Sequence, residues 1–180
     1  MEVELTSIDG VLKITPKAFS DERGVFYESW RKEDYKKLGM LEDFVQDNIS
    51  FSRKNVIRGL HFQREDSAQG QLVTIISGLV FDVCVDIRPM SKTFGQYVVF
   101  ELNSAYPTQI YMPPGIAHGF CVLSKTAMLH YKCTKYFSPI HDCGLLWNDP
   151  HIGIEWPILK PIISIKDLNN ISFKAFKESL

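Results

Sequence analysis

The sequence predicts an all-β protein, with its strands arranged as a jelly roll or an up-and-down barrel. From about Gly10 onward, apolar residues recur with period two, which is typical of strands that bury one face. Gly, Pro, Asn and Ser interrupt this pattern at short intervals and mark frequent turns. Only short stretches fit a helical pattern, so a closed β-architecture with a few helices is favoured.

In chain order, each predicted strand is an alternating or apolar segment between two turn signals. These segments are 11–15, 24–30, 44–51, 56–63, 71–77, 79–88, 97–102, 109–112, 118–123 and 128–136. A short helix is predicted at 32–38. The tail predicts one more helix, in which Ile165, Leu168, Ile171 and Phe176 would share a face.

The segment around 71–88 contains a predicted turn and, after it, a strand with one polar face. Ser77 and Gly78 predict a hairpin, because Gly supplies the positive φ that a tight turn requires. In the following strand, polar and apolar residues alternate, so one face would line a cavity or meet solvent. We expect this face to meet solvent, as in most antiparallel sheets. It carries Val80, Asp82, Cys84, Asp86 and Arg88.

Length and composition limit the class of protein. The 180 residues fit one domain, which we expect to span residues 1–180. Twenty basic and 21 acidic side chains nearly balance, so neither nucleic acid nor a membrane surface is an expected partner. Residues 1–16 lack the apolar core of a secretory signal, and polar residues interrupt the apolar stretch 72–87, which predicts a cytoplasmic protein. The four cysteines form no Cys-x-x-Cys pair, so we expect reduced, mostly buried thiols.

The segment 56–63 places Arg58, His61 and Gln63 in an otherwise apolar strand. A strand that buries such groups must provide partners for them. Regular alternation puts Arg58 and His61 on opposite faces, so both reach one cavity only if the strand is irregular. Gly59 is a natural position for a bulge. Alone, a histidine on a strand is more often structural than catalytic.

A second histidine follows a Pro-Gly turn in the segment 112–120, where His118 begins a strand. This segment resembles the second half-motif of cupins. The first half-motif of metal-binding cupins carries a His-x-His pair and a glutamate, whereas Phe62 and Gln63 follow His61 here. His61, His118 and His130 could form a three-histidine metal site, but no spacing requires one, and we expect no metal.

Tyr131 is the remaining candidate for chemistry. Leu129 and Cys133 lie two residues before and after it, so all three side chains point to the same face of a strand, and Tyr131 faces the interior if the other two do. A buried tyrosine commonly fills a core with its hydroxyl tethered. As a functional group, it would be a proton donor opposite His61.

Several separated motifs together resemble the dTDP-4-dehydrorhamnose 3,5-epimerase family from about residue 8 to residue 167. A series of motifs in the family's order is stronger evidence than any one of them. The motifs are Asp21-Glu22-Arg23-Gly24, Phe44-Val45-Gln46-Asp47-Asn48, Arg58-Gly59-Leu60-His61-Phe62-Gln63, Phe81-Asp82-Val83 with Val85-Asp86-Ile87-Arg88, Pro114-Gly115 with Ala117-His118-Gly119-Phe120, Trp147-Asn148-Asp149 and Ile154-Glu155-Trp156-Pro157.

The resemblance implies a cupin-like jelly roll with short peripheral helices, a homodimer, and no metal or redox cofactor. It implies epimerisation at C3 and C5 of dTDP-4-dehydro-6-deoxy-D-glucose, a dTDP-linked 4-keto-6-deoxy sugar, to dTDP-4-dehydro-L-rhamnose. It makes His61 the general base, Asp167 the carboxylate that orients it, and Tyr131 the acid on the other face. The implied substrate-binding residues are Arg23, Glu28, Gln46, Asn48, Arg58, Gln71, His118, Asp142 and Lys166.

Two positions depart from the family's pattern. Asp142 lies where the family more often has glutamate, so its carboxylate reaches about one methylene less far. Gln71 lies where the family usually has a lysine that is expected near the ketone oxygen of the sugar. Replacing a charge-assisted hydrogen bond by a neutral one typically loses about 1 kcal/mol, or roughly fivefold in rate.

The implied chemistry suits these residue types. A proton next to a ketone can be removed because the resulting enolate spreads its charge onto the C4 oxygen, and C3 and C5 both flank C4. Histidine titrates near neutral pH, so it can act as the base and be regenerated. Inversion then requires a proton from the opposite face, from Tyr131 or from water.

Three alternatives remain open at this point. A 3-epimerase acting on a related nucleotide-linked 4-keto-6-deoxy sugar is the nearest of them. A metal-dependent cupin enzyme is motivated by the three histidines. A jelly roll that binds sugar nucleotides without catalysis is the non-enzymatic alternative, although intact His61, Tyr131 and Asp167 argue against it.

Overall fold

The computed structural model describes residues 1–180 as thirteen strands, three short helices and one 3-10 turn. The strands are β1 Glu2–Leu5, β2 Leu12–Thr15, β3 Ala18–Asp21, β4 Gly24–Tyr27, β5 Gln46–Arg53, β6 Ile57–Gln63, β7 Gln71–Ser77, β8 Leu79–Asp86, β9 Tyr97–Asn103, β10 Gln109–Met112, β11 Ile116–Val122, β12 Thr126–Cys133 and β13 Asp142–Gly144. The helices are α1 Lys32–Lys36, α2 Ile165–Leu168 and α3 Phe173–Glu178, and the 3-10 turn is Glu65–Ser67. No helix combines the length and apolar character needed to cross a membrane.

The strands form two main sheets in which every pair of neighbours is antiparallel. One sheet has six strands in the order β1-β2-β10-β7-β12-β5, and the other has five in the order β13-β6-β11-β8-β9. Strands β3 and β4 form a separate two-stranded hairpin. The predicted all-β jelly roll with short peripheral helices is therefore confirmed.

The largest apolar cluster lies between the two sheets. It takes Val73 and Leu129 from the six-stranded sheet and Val80 and Phe120 from the five-stranded sheet. A second cluster covers the outer side of the five-stranded sheet with residues of α3, and a third packs α1 against the six-stranded sheet. Apolar contacts thus cover part of the outer face of each sheet. Part of each inner face packs in the central core, and another part lines the cavities.

The structure confirms the predicted strands, with ends shifted by a few residues, and adds β1, β3 and β13. The predicted hairpin at Ser77 and Gly78 is wrong. Gly78 does have a positive φ of 93°, but β7 belongs to the six-stranded sheet and β8 to the five-stranded sheet. The turn therefore carries the chain from one sheet to the other, a choice of partner that local alternation does not encode.

The expectation that the polar face of β8 meets solvent is also wrong. Asp82 and Asp86 are both fully buried. The carboxylate of Asp86 accepts hydrogen bonds from the side chains of Arg88, Ser91 and Thr93. Burial acts to raise the pKa of Asp86, but these bonds outweigh it and hold that pKa well below its usual range. Asp86 is buried because these internal partners replace water.

The tail forms two short helices instead of the single amphipathic helix predicted. Of the residues expected on its buried face, Ile165, Leu168 and Ile171 are exposed, and only Phe176 is buried. Ile171 bridges to Leu145 in strand-like fashion, which interrupts the helix. Ser172 then caps α3 by accepting a hydrogen bond from the backbone N–H of Ala175 at 3.1 Å.

Strand β6 is irregular at Gly59, as the sequence requires if Arg58 and His61 are to share a cavity. Gly59 has a φ of 130°, and the pairing of β6 with β11 shifts register between His118 and Phe120. Arg58 and His61 line the same cavity as a result. This confirms the predicted bulge.

Gly59→Ala should destabilise the fold by at least about 2 kcal/mol, because alanine is strained at positive φ and has no room here. Its Cβ would lie 2.5 Å from the Cα of Gly119 and 2.8 Å from the carbonyl oxygen of His118. Urea unfolding measures the loss. Gly39→Ala is the control, since Gly39 has a φ of 91° with open space around its Cβ position. Equal losses in the two variants would contradict the role of the close packing.

Candidate active site

Two adjoining cavities lie between the sheets and share His61, Gln71 and Tyr131. The small cavity has a volume of about 190 Å³, and the adjoining cavity about 310 Å³. The small cavity is completed by Ser50, Arg58, His118, Phe120 and Leu129. The adjoining cavity is completed by Gln46, Asn48, Phe62, Gln63, Gln69, Phe137, Asp142 and Lys166.

His61 forms a close pair with Asp167. Its Nε2 lies 2.7 Å from Oδ1 of Asp167, whose side chain is only 4% exposed. The second carboxylate oxygen accepts a hydrogen bond from the backbone N–H of Gly59 at 3.3 Å. Asp167 is held in α2 by the Ser164 side chain, which accepts its backbone N–H at 3.0 Å. The Nε2 side of the imidazole is therefore fixed by Asp167, and the ring also borders the cavities.

Asp167 is ionised at neutral pH. Burial acts to raise its pKa, but the hydrogen bond and charge of His61 and the Gly59 N–H outweigh burial, so the pKa lies below the ordinary value of 3.8. A carboxylate can only accept, so Nε2 of His61 carries the proton in this pair. The lone pair of a neutral His61 is then on Nδ1, which makes Nδ1 the basic atom.

Tyr131 borders both cavities from the opposite sheet. It lies on β12 of the six-stranded sheet, whereas His61 lies on β6 of the five-stranded sheet. Its side chain faces inward with that of Leu129, as the alternation of side chains along the strand predicts. Burial, with a smaller contribution from Cys133, raises the pKa of the Tyr131 phenol, and the charge of Arg58 acts in the opposite direction. The phenol is therefore protonated at neutral pH and can donate.

His118 belongs to a second histidine–carboxylate pair that includes a residue missed by sequence reasoning. His118 lies directly opposite His61 in the pairing of β11 with β6. Its Nε2 is 2.8 Å from Oδ2 of Asp82, which is fully buried. The alternation along β8 points to Asp82, but the same pattern is typical of a face that meets solvent, so it does not reveal the pairing with His118.

The adjoining cavity collects polar residues from several elements. Gln46 and Asn48 come from β5 and are hydrogen-bonded to each other at 3.0 Å. Lys166 of α2 forms an ion pair with Asp142 of β13. The amide of Gln71 donates to the side chain of Gln69 at 3.3 Å. All five of the predicted substrate-binding residues in this group, Gln46, Asn48, Gln71, Asp142 and Lys166, are brought to one cavity.

Arg23 and Glu28 are the two predicted substrate-binding residues that do not line these cavities. Arg23 pairs with Asp21 in the β3–β4 hairpin, and its side chain is 86% exposed. Glu28 pairs with Arg31 next to α1. Neither residue lines either of the two cavities that His61 borders.

The three histidines considered as metal ligands do not form a ligand set. His130 lies next to Tyr131 on β12, so it points to the opposite face, where its Nε2 is 3.8 Å from Asp47. The Nε2 atoms of His61 and His118 are each occupied by a carboxylate. No three or more His, Cys, Asp or Glu side chains are grouped as a metal site would require.

Fold and cavities together describe a jelly-roll enzyme equipped for acid–base chemistry. A histidine backed by a buried carboxylate and a protonated phenol border the same two cavities, which amides and cations also line. Such an arrangement can remove a proton from one side of a bound molecule and supply a proton from the other.

Comparison with known proteins identifies the family. The family model described as dTDP-4-dehydrorhamnose 3,5-epimerase matches residues 5–175. The dTDP-4-dehydrorhamnose 3,5-epimerase of Salmonella typhimurium is 51% identical over 169 residues, which cover 93% of this chain and 92% of that protein. The dTDP-4-dehydrorhamnose 3-epimerase of Streptomyces niveus is 34% identical over 168 residues, covering 93% and 81%.

A solved structure agrees with these matches. The dTDP-6-deoxy-D-glucose-3,5-epimerase of Legionella pneumophila, in complex with dTDP-4-keto-L-rhamnose, superposes with a TM-score of 0.93 at 43% identity, covering 96% of this chain and 93% of that one. The chain belongs to the dTDP-4-dehydrorhamnose 3,5-epimerase family and is an isomerase.

Asp167→Asn should make the protein less stable at pH 7 by about 1 kcal/mol, because the charge-assisted hydrogen bond to His61 is replaced by a neutral one. The pKa of Asp167 is lowered on folding, so the carboxylate stabilises the protein fully above about pH 3.8 and progressively less as the pH falls below that value. The variant should therefore lose less stability on acidification than the wild type. Urea unfolding between pH 7 and pH 3 measures both effects.

Asp66→Asn is the control for this experiment, since Asp66 lies in the exposed 3-10 turn away from His61. It should leave both the stability at pH 7 and its acid dependence close to those of the wild type. An Asp167→Asn variant with the acid dependence of the wild type would contradict the assignment.

Proposed function

We propose that this chain inverts C3 and C5 of dTDP-4-dehydro-6-deoxy-D-glucose to give dTDP-4-dehydro-L-rhamnose. One observation carries the proposal. His61, paired at 2.7 Å with the buried Asp167, borders the same two cavities as Tyr131 on the opposite sheet. The names of the family and of its relatives supply the substrate class.

In the first half of each inversion, His61 removes the proton from a carbon next to the C4 ketone. Nδ1 takes the proton, and the electron pair of the C–H bond moves toward C4 to form an enolate. Asp167 stabilises the resulting imidazolium through Nε2. Gln71 lines both cavities together with His61 and Tyr131, which supports a role for its amide as a donor to the developing oxyanion.

In the second half, Tyr131 returns a proton to the opposite face of the same carbon. The enolate electrons form the new C–H bond, and the phenol becomes a phenolate. Arg58 acts to lower the pKa of Tyr131 and so stabilises that phenolate. Exchange with solvent then restores the protonated phenol and the neutral imidazole. No oxidant or reductant is consumed, because the carbon keeps its oxidation state.

The nucleotide is proposed to be held by residues around the reacting centre. Arg58 and Lys166 are the cations of the two cavities and suit the diphosphate. Gln46, Asn48 and Asp142 can hydrogen-bond to the polar groups of the nucleoside and the sugar. The His118–Asp82 pair places a further donor or acceptor in the small cavity.

We also propose that the enzyme works as a homodimer. Ile49 and Phe51 are exposed on the outer face of β5, and Phe26 is 67% exposed on the β3–β4 hairpin. Apolar surface of this kind marks an interaction site. A partner subunit packed there could receive the hairpin, and Arg23 and Glu28 with it, in its own cavities. The crossing is supported by the absence of Arg23 and Glu28 from the lining of the two cavities of their own chain.

We further propose that the protein is a single domain and works in the cytoplasm. Residues 1–180 form one domain, a reading supported by the apolar cluster that both sheets share. The protein works in the cytoplasm, a reading supported by its four free cysteines, since free thiols are typical of reducing compartments.

Incubation with dTDP-4-dehydro-6-deoxy-D-glucose in deuterated water should place deuterium at both C3 and C5, as followed by NMR of the sugar. His61→Ala should stop both exchanges, because the base is lost. Tyr131→Phe should impair inversion more than exchange, because deprotonation does not need the phenol. His151→Ala, which removes an exposed histidine, should change neither.

The pattern of labelling also distinguishes the alternatives. Deuterium at C3 alone would support a 3-epimerase like the Streptomyces niveus relative. Deuterium at neither carbon, or full exchange in His61→Ala, would overturn the proposal.

Gln71→Lys should raise turnover of this substrate by roughly fivefold, because a charged donor stabilises the enolate oxygen better than a neutral amide. Steady-state kinetics measure kcat. Gln69→Lys is the matched control, since it adds the same charge two residues away in the adjoining cavity and should bring no gain. Unchanged or lower turnover in Gln71→Lys would show that Gln71 is adapted to a different sugar.

Phe51→Asp should convert the dimer to a monomer and abolish most of the activity, because it buries a charge in the proposed interface. Analytical ultracentrifugation gives the molecular mass. Leu159→Asp, at a residue that is exposed elsewhere on the surface, should remain dimeric and active. Full activity in a demonstrably monomeric protein would contradict the need for the partner subunit.

A further inference from the structure

Arg58 is a cation in the small cavity without a carboxylate partner. It borders this cavity together with His61, His118 and Tyr131. Its one side-chain hydrogen bond is from Nε to the hydroxyl of Ser52, at 2.9 Å. An unpaired guanidinium in a cavity is suited to an anionic ligand.

Ser52 has a fixed position from which it can hold this guanidinium in one orientation. The serine is 3% exposed and lies on the inner face of β5. The turn that joins β5 to β6 is fixed by two backbone hydrogen bonds, from Lys54 N–H to the carbonyl of Lys125 at 3.0 Å and from Asn55 N–H to the carbonyl of Val122 at 2.9 Å. Ser52 and Arg58, on either side of that turn, are therefore held at a constant separation.

Because Nε bonds to Ser52, the two terminal nitrogens of the guanidinium are the atoms available to bind a ligand. Arginine has five N–H donors, and the bond to Ser52 occupies only the Nε–H. Both terminal nitrogens keep their hydrogens free of protein partners. An arginine with an anchored Nε presents these terminal donors as a fork that matches two phosphate oxygens.

We infer that Ser52 is a positioning residue for substrate binding, which holds Arg58 so that its terminal nitrogens bind the diphosphate of the nucleotide. The inference rests on the proposed function, because that function supplies a nucleoside diphosphate as the ligand. Without the Ser52 hydroxyl, Arg58 would sample several rotamers, and binding would have to order it. Ser52 does not touch the reacting carbons, so its effect should fall on binding alone.

The test measures the dissociation constant of dTDP by calorimetry, together with KM and kcat for the epimerisation. Ser52→Ala should raise the dissociation constant and KM about fivefold, the loss typical of one hydrogen bond, and leave kcat within about twofold. The affinity for thymidine, which has no phosphate, should not change. Ser52→Cys, which keeps the size of the side chain but accepts hydrogen bonds poorly, should show the same loss.

A double-mutant cycle separates this role from a structural one. In Arg58→Ala protein, adding Ser52→Ala should have no further effect on dTDP binding, because the serine acts only through the arginine. Ser124→Ala is the control for loss of a serine hydroxyl, since Ser124 bonds only to backbone groups of Leu79 and Thr126. It should leave dTDP binding unchanged.

Two results would overturn the inference. One is wild-type affinity for dTDP in both Ser52→Ala and Ser52→Cys. The other is a Ser52→Ala loss of equal size with and without Arg58. Failure of the proposed function is a different result, in which the wild-type protein itself neither binds dTDP nor labels the sugar with deuterium.

Discussion

A positive φ at Gly59 determines how the cavity residues are arranged. In a regular strand Arg58 and His61 would point to opposite faces, but the irregularity of β6 brings both to one cavity. The same turn of the backbone directs the N–H of Gly59 at Asp167, so one residue sets both the position of His61 and part of the environment of its carboxylate. Gly119 of β11 packs against this point and leaves no room for a side chain.

Two histidines in this cavity each depend on a buried acid. Asp167 and Asp82 are removed from water, which is costly for a carboxylate unless hydrogen bonds replace its solvation. His61 bonds to Asp167 and His118 bonds to Oδ2 of Asp82, and both imidazoles are oriented by these bonds, whereas Oδ1 of Asp82 has no hydrogen-bond partner. Each imidazole therefore has one nitrogen held by a carboxylate and the other left for chemistry or binding.

Local pattern predicted the elements better than it predicted their partners. Period-two alternation located the strands, because side chains in any strand alternate between two faces. The same alternation does not indicate which strands pair, so it predicts a hairpin at Gly78 although this link joins two sheets. It does not indicate what covers a face either, so it predicts solvent around Asp82 and Asp86 although both are buried.

The sequence by itself determined the all-β class, the demand for an irregular strand at Gly59, and the family, because these follow from local periodicity and from motifs in order. It also named His61, Tyr131 and Asp167 as candidates. Only the tertiary structure decided that His61 and Asp167 lie 2.7 Å apart, that Asp82 supports His118, and that Arg23 and Glu28 stay outside the cavities of their own chain. The reason is that contacts between residues far apart in the chain depend on how the two sheets pack, which no local pattern records.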